Sequence, residues 1–68
     1  MKTFKINEDF IQLDKLLKVL RIAQSGGEAH AMVDDGIVKL NGKIETRRRA
    51  KIKIGDVVEV MGVSVKII

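Results

Sequence analysis

Apolar and polar residues alternate along this chain with two distinct periods, and the switches between them outline its elements. Phe4 and Ile6 flank Lys5, an alternation that predicts a short strand over residues 3–6. Asn7, Glu8 and Asp9 then carry turn and helix-cap chemistry. From Leu13 the period lengthens. Leu13, Leu16, Leu17 and Leu20 recur at i, i+3, i+4 and i+7, the apolar stripe of an amphipathic helix. Lys15, Lys18 and Arg21 lie off that stripe, and Lys18 and Arg21, three apart, put a basic flank on the helix side. Ser25-Gly26-Gly27-Glu28 reads as a capping box, in which hydroxyl and carboxylate satisfy each other's free backbone donors. Ala29, Met32 and Val33 follow at helical spacing, and Gly36 is placed to close this second helix in a left-handed cap. Its small residues, Gly27, Ala29 and Ala31, allow the first helix to approach closely, with the two antiparallel-leaning.

After Gly36 the period falls to two. Val38 and Leu40 alternate with Lys39, and Asn41-Gly42 is a hairpin turn signal. A strict two-residue turn sets Leu40 beside Lys43 rather than Ile44, so either a bulge intervenes or the strands splay. Lys51-Ile52-Lys53-Ile54 alternates again, with both lysines on one face and both isoleucines on the other. Gly55-Asp56 turns the chain into Val57-Val58-Glu59-Val60, and after Gly62 a final strand alternates Val63, Val65 and Ile67 with Ser64 and Lys66. The order predicts an α+β fold, two short helices packed on a small, mostly antiparallel sheet.

Length and composition narrow the class. With 68 residues, 46% of them hydrophobic, the chain is expected to form one packed domain over residues 1–68. It has no cysteine, so neither a disulfide nor a thiolate zinc site supports the core. A cytoplasmic location fits that composition. The first residues lack the apolar stretch of a signal peptide, and no apolar run approaches the roughly 20 residues that span a bilayer.

Enzyme chemistry fails on inventory. His30 is the single histidine, on the flank of the second helix near Asp34, and reads as a partly exposed helix residue with phosphate contact as a minor role. Asp34-Asp35 is an adjacent pair pointing to different helix faces, a solvated terminus rather than a metal site. Gly26-Gly27 lacks the Gly-Lys-Ser/Thr of a phosphate loop and serves chiefly as cap, with weak anion binding by the helix donors as the alternative. We expect no enzyme activity, no cofactor, no metal and no small-molecule substrate.

Charge is where the sequence speaks most clearly. Residues 39–53 hold Lys39, Lys43, Arg47, Arg48, Arg49, Lys51 and Lys53 against the single acid Glu45, a local net of +6. The whole chain carries +4, so the remainder is mildly acidic at −2. Such asymmetry points to a polyanionic partner, the bland reading being a solvated basic face. Guanidinium groups grip phosphate oxygens bidentately at any physiological pH. There is no Trp or Tyr, and Phe4 and Phe10 stand at apolar positions outside the strip. Exposed aromatics on which to stack single-stranded bases are therefore missing, and structured RNA read by shape and backbone is the better match.

Several stretches together resemble a known family. Gln12-Leu13-Asp14-Lys15-Leu16-Leu17, then Ser25 opening a helix with Ala29, then Gly36-Ile37-Val38-Lys39-Leu40-Asn41-Gly42, then Gly55-Asp56-Val57-Val58-Glu59-Val60, are similar in order and spacing to the RNA-binding domain named after small-subunit ribosomal protein S-four, the alpha-L motif. The likeness covers residues 12–60, and Gln24-Ser25-Gly26-Gly27 with Glu45-Thr46-Arg47-Arg48-Arg49 resembles its small stand-alone bacterial members. It implies binding of structured RNA, often ribosomal or transfer RNA, through the helix pair and the following hairpin. On this chain that surface is Lys15, Lys18 and Arg21 with the strip from Lys39 to Lys53. Gln12 and Gly26 stand where the family usually has phosphate-facing arginines, which shifts weight to Arg47, Arg48 and Arg49. A protein-interaction module docking an acidic partner is the alternative; nonspecific DNA binding is weaker, since no major-groove helix is recognisable.

Overall fold

The computed structural model describes residues 1–68, and its elements follow the two periods closely. In chain order they are β1 (Lys2–Phe4), β2 (Phe10–Gln12), α1 (Leu13–Val19), α2 (Gly26–Asp34), β3 (Val38–Leu40), β4 (Lys43–Ile44), β5 (Lys51–Lys53), β6 (Val57–Val60) and β7 (Val63–Ile67). Five strands form one sheet in the order β1-β7-β6-β3-β4, antiparallel except for the β1–β7 pair. A separate antiparallel ribbon pairs β2 with β5.

Alternation in the strands sorts the sheet into two faces. Val38, Val58, Val60, Val65 and Ile67 turn inward and are buried, whereas Lys39, Glu59 and Lys66 stand on the solvent side. Against the inner face pack Leu13, Leu16 and Leu17 of α1, Ala29 and Val33 of α2, and Ile52 of β5, all essentially inaccessible. Burial of large aliphatic side chains at about 1.5–3 kcal/mol each is the force that holds so short a chain folded without a disulfide. The predicted α+β class, with a helix pair against a mostly antiparallel sheet, is the observed one.

Both helices close in the same way. Gly36, at φ +75°, lets its own N–H reach the Val33 carbonyl and the Ile37 N–H reach Met32, the paired bonds of a Schellman cap. After α1 the same pair of bonds runs from Arg21 to Lys18 and from Ile22 to Leu17, but the left-handed position, φ +61°, is held by Arg21. Arg21 is thus not a residue of the helix flank, as the three-residue spacing from Lys18 suggested. It lies one position past the cap.

Other expectations are corrected in detail. The first strand ends at Phe4, two residues before Ile6, and an unexpected short strand, β2, stands between the Asn7–Asp9 turn and the first helix. The Ser25 hydroxyl accepts from the Glu28 N–H at 3.1 Å as expected, but Glu28 reaches back to the N–H of Gln24, not of Ser25. At Asn41-Gly42 the turn is the strict two-residue kind, both residues with positive φ, and Leu40 pairs with Lys43 without a bulge. Ile54 does not share the buried face of Ile52; it leaves the strand for the following turn and is exposed.

Candidate nucleic-acid interface

The N-terminus of α1 has no side-chain cap: Gln12 occupies the cap position without accepting a hydrogen bond. The free donors are satisfied from elsewhere. Leu13 N–H donates to the Ala50 carbonyl at 2.9 Å and Asp14 N–H to the Arg48 carbonyl at 3.0 Å. These backbone bonds fasten the arginine run directly to the start of the first helix, while Ala50 and Ile52 are driven inward by burial. The side chains between them are forced outward. An open groove of about 470 Å³ results, lined by Arg47, Arg49, Ala50, Lys51 and Lys53, four cations around one methyl group.

The β2–β5 ribbon extends that surface. Its register sets Phe10 opposite Lys53, Ile11 opposite Ile52, and Gln12 opposite Lys51. Directly opposed residues share a face, so Phe10, Gln12, Lys51 and Lys53 point one way and Ile11 and Ile52 the other. The Lys51 ammonium lies 5.0 Å from the centroid of the Phe10 ring, within cation–π range. Phe10 therefore stands beside the basic strip, half-exposed, and not outside it as its apolar character suggested.

Each arginine of the run has a carboxylate nearby. Glu45, whose side chain is only 10% exposed, accepts from Arg47 through its backbone N–H at 2.9 Å, Nε at 3.1 Å and Nη2 at 3.0 Å. The Arg47 guanidinium thereby holds the Glu45 carboxyl below its ordinary range. Arg48 clasps Asp34 with two of its guanidinium nitrogens, Nε at 3.0 Å and Nη2, and lowers the Asp34 pKa in the same way. The Arg49 Nε stands 4.0 Å from Asp14. Burial works against the Asp14 charge, but the His30 ring N–H at 3.1 Å and the Lys15 backbone N–H outweigh it, and its pKa is lowered. His30 thus bonds Asp14 on α1 and also stands near enough to Asp34 to favour its charge, and Asp34 is an ion-pair partner rather than a solvated terminus.

Not all the expected cations converge. Register puts Lys39 on the outer sheet face with Ile44 and Glu59, while Lys43 stands opposite Leu40 on the other face of the hairpin. Neither lysine lines the groove, and the two take opposite faces because neighbouring hairpin positions alternate in direction. Lys15 lines a second cleft beside β2, and Lys18 is exposed one turn further along α1. Sequence reasoning missed Phe10 as a surface residue and Asp14, Asp34 and Glu45 as partners of the arginines. The Phe10-Ile11-Gln12 alternation, which sets Phe10 on the same side as Gln12, was a usable signal for it. No local signal links Arg48 to Asp34 or Arg49 to Asp14, which tertiary packing alone brings together.

A helix pair tied to a basic loop and laid on a mainly antiparallel sheet defines an alpha-L-type domain. Residues 4–68 match the model of the S4 domain, and the chain belongs to that family. It is 36% identical over 69 residues to YbcJ of Escherichia coli (strain K12), named provisionally as an RNA-binding protein, across 100% of this chain and 99% of that one. It is 37% identical over 57 residues to RlbA of Bacillus subtilis (strain 168), named provisionally as a ribosome maturation protein, with 84% of this chain and 80% of that one aligned. A solution structure of YbcJ, described as revealing an alpha-L motif involved in RNA binding, superposes with a TM-score of 0.75 over 100% of this chain and 87% of that chain, at 36% identity.

Proposed function

We propose that residues 1–68 act as one non-enzymatic domain that binds structured RNA in the cytoplasm, with ribosomal or transfer RNA as the target. The observation that carries this reading is the groove of Arg47, Arg49, Lys51 and Lys53 fastened to the head of α1. Four cations around a shallow, rigidly backed groove suit successive phosphates along a backbone, where counterion release supplies the affinity. The family, the YbcJ description and the ribosome-maturation name of RlbA support the same partner class. Lys15 and Lys18 orient the helix pair on the same RNA, and Arg48 contributes once its carboxylate partner is exchanged for phosphate.

The test is the salt dependence of binding to a labelled RNA hairpin, for the native chain and for Arg49→Ala/Lys51→Ala/Lys53→Ala. The variant is expected to bind more weakly at every salt concentration, with the slope of log K against log salt shallower by about one unit for each lost phosphate contact. Unchanged affinity and slope would remove the groove from the mechanism. Capture of an acidic protein with no RNA recovered after nuclease treatment would favour the protein-docking alternative.

A further inference from the structure

A second open cleft, of about 450 Å³, lies between β1 and β2. Its volume falls within the roughly 300–1,000 Å³ range of small-ligand clefts. Phe4, Phe10 and Ile11 supply apolar wall, Asn7 and Gln12 supply amides that both donate and accept, and Lys15 stands at its margin. Phe10 and Gln12 also belong to the ribbon face that carries Lys51 and Lys53, so the cleft and the cationic groove border the same ribbon. We infer that this cleft receives one unpaired RNA base while the phosphates beside it lie in the groove. The inference rests on the RNA-binding reading above and adds to it a specificity for RNA with a bulged or looped-out nucleotide.

Three features select a base over another occupant. Flat aromatic wall flanked by amides is the lining that unstacked bases use, the ring for stacking and the amides for the hydrogen-bonding edge. The cleft is part apolar and carries Lys5 and Lys15 against the single acid Glu8, which matches a ligand whose flat part is uncharged and whose attachment is anionic. Lastly, the Lys51 ammonium rests 5.0 Å from the Phe10 ring centroid. A phosphate entering the groove offers that ammonium a full negative charge in place of the weaker cation–π contact, and draws it off the ring. The ring face thus uncovered is available to the base, so groove and cleft fill together.

The experiment compares two RNA hairpins with the same stem, one fully paired and one carrying a single bulged 2-aminopurine. The native chain should bind the bulged hairpin roughly tenfold more tightly, with the 2-aminopurine fluorescence quenched by stacking. Phe10→Leu keeps apolar bulk at a half-buried position, and should lose both the preference for the bulged hairpin and the quench. Gln12→Ala provides a second, milder lesion in the same cleft and should reduce the preference, with thermal melting reporting whether each variant folds. Equal affinity for the two hairpins, or a preference that survives both substitutions in folded protein, overturns the cleft assignment and leaves RNA binding standing. Failure to bind either hairpin overturns both.

Discussion

Arg48 clasps Asp34 from fourteen residues further along the chain, joining the middle of the arginine run to the last turn of α2. The pair is half-exposed on both sides, so solvent screens it and a phosphate group can compete for the same guanidinium. Two consequences follow for the S4 domain that this chain forms. The helix pair and the arginine loop are joined through a side-chain contact as well as through the backbone, and part of the loop's charge is neutralised while that contact is made.

Removing the competitor should therefore strengthen binding. Asp34→Asn keeps the shape of the side chain and releases Arg48, and the RNA affinity is expected to rise several-fold at low salt, with a salt slope steeper by about one unit. Titrations at several salt concentrations check it. An affinity equal to or below that of the native chain would mean that Arg48 serves the fold alone.

Glu45 should leave an acid signature on stability. Its folded-state pKa is lowered from an ordinary value of 4.5, chiefly by hydrogen bonding to Arg47. A depressed carboxylate stabilises the fold at pH values above its unfolded pKa, and that contribution disappears as the pH falls through the folded value. Asp14 and Asp34 are lowered in the same direction from 3.8. Chemical-denaturation midpoints should hold steady from neutral pH to about 5 and drop below about 4, and Glu45→Gln should be less stable at neutral pH with a shallower acid decline. An identical pH profile for the variant would contradict the assignment.

Arg21 occupies a backbone position that costs an L-residue about 1–2 kcal/mol, φ +61° after the end of α1. Glycine does this at Gly36 without that cost. Arg21→Gly should accordingly raise stability by about 1 kcal/mol, read from denaturant melts, while weakening RNA binding. Stability gained with binding unchanged would remove Arg21 from the interface; stability lost would show that its side chain supports the fold.

The S4-type resemblance implies an arginine at the position that Gly26 occupies. A side chain built there meets no atom within 4 Å. Gly26→Arg is expected to fold as the native chain does and to bind RNA several-fold more tightly, because the new cation projects from the exposed first turn of α2. Unaltered binding in folded protein would place that turn outside the RNA contact.

Most of the architecture was legible in one dimension because it follows from local periodicity. The leucine stripe of α1, the Ser25 cap, the glycine that ends α2 and the valine alternation of β6 and β7 each depend on neighbours within a few residues. The S4-type resemblance drew on the same short stretches. Boundaries shifted where a three-residue strand, β2, is too short to carry a pattern of its own and exists because β5 pairs with it.

Charge composition was equally plain from the sequence: seven cations in residues 39–53, and no competing catalytic inventory. Which of those cations act together was decided by the tertiary structure. Strand register sends Lys39 and Lys43 to opposite faces, helix packing brings Asp14 and Asp34 against the arginine run, and ribbon pairing sets Phe10 beneath Lys51. Periodicity specifies direction relative to a residue's own element. The relation between elements comes from burying Leu13, Ile52 and Ala50 together, and only that burial gives the groove its shape.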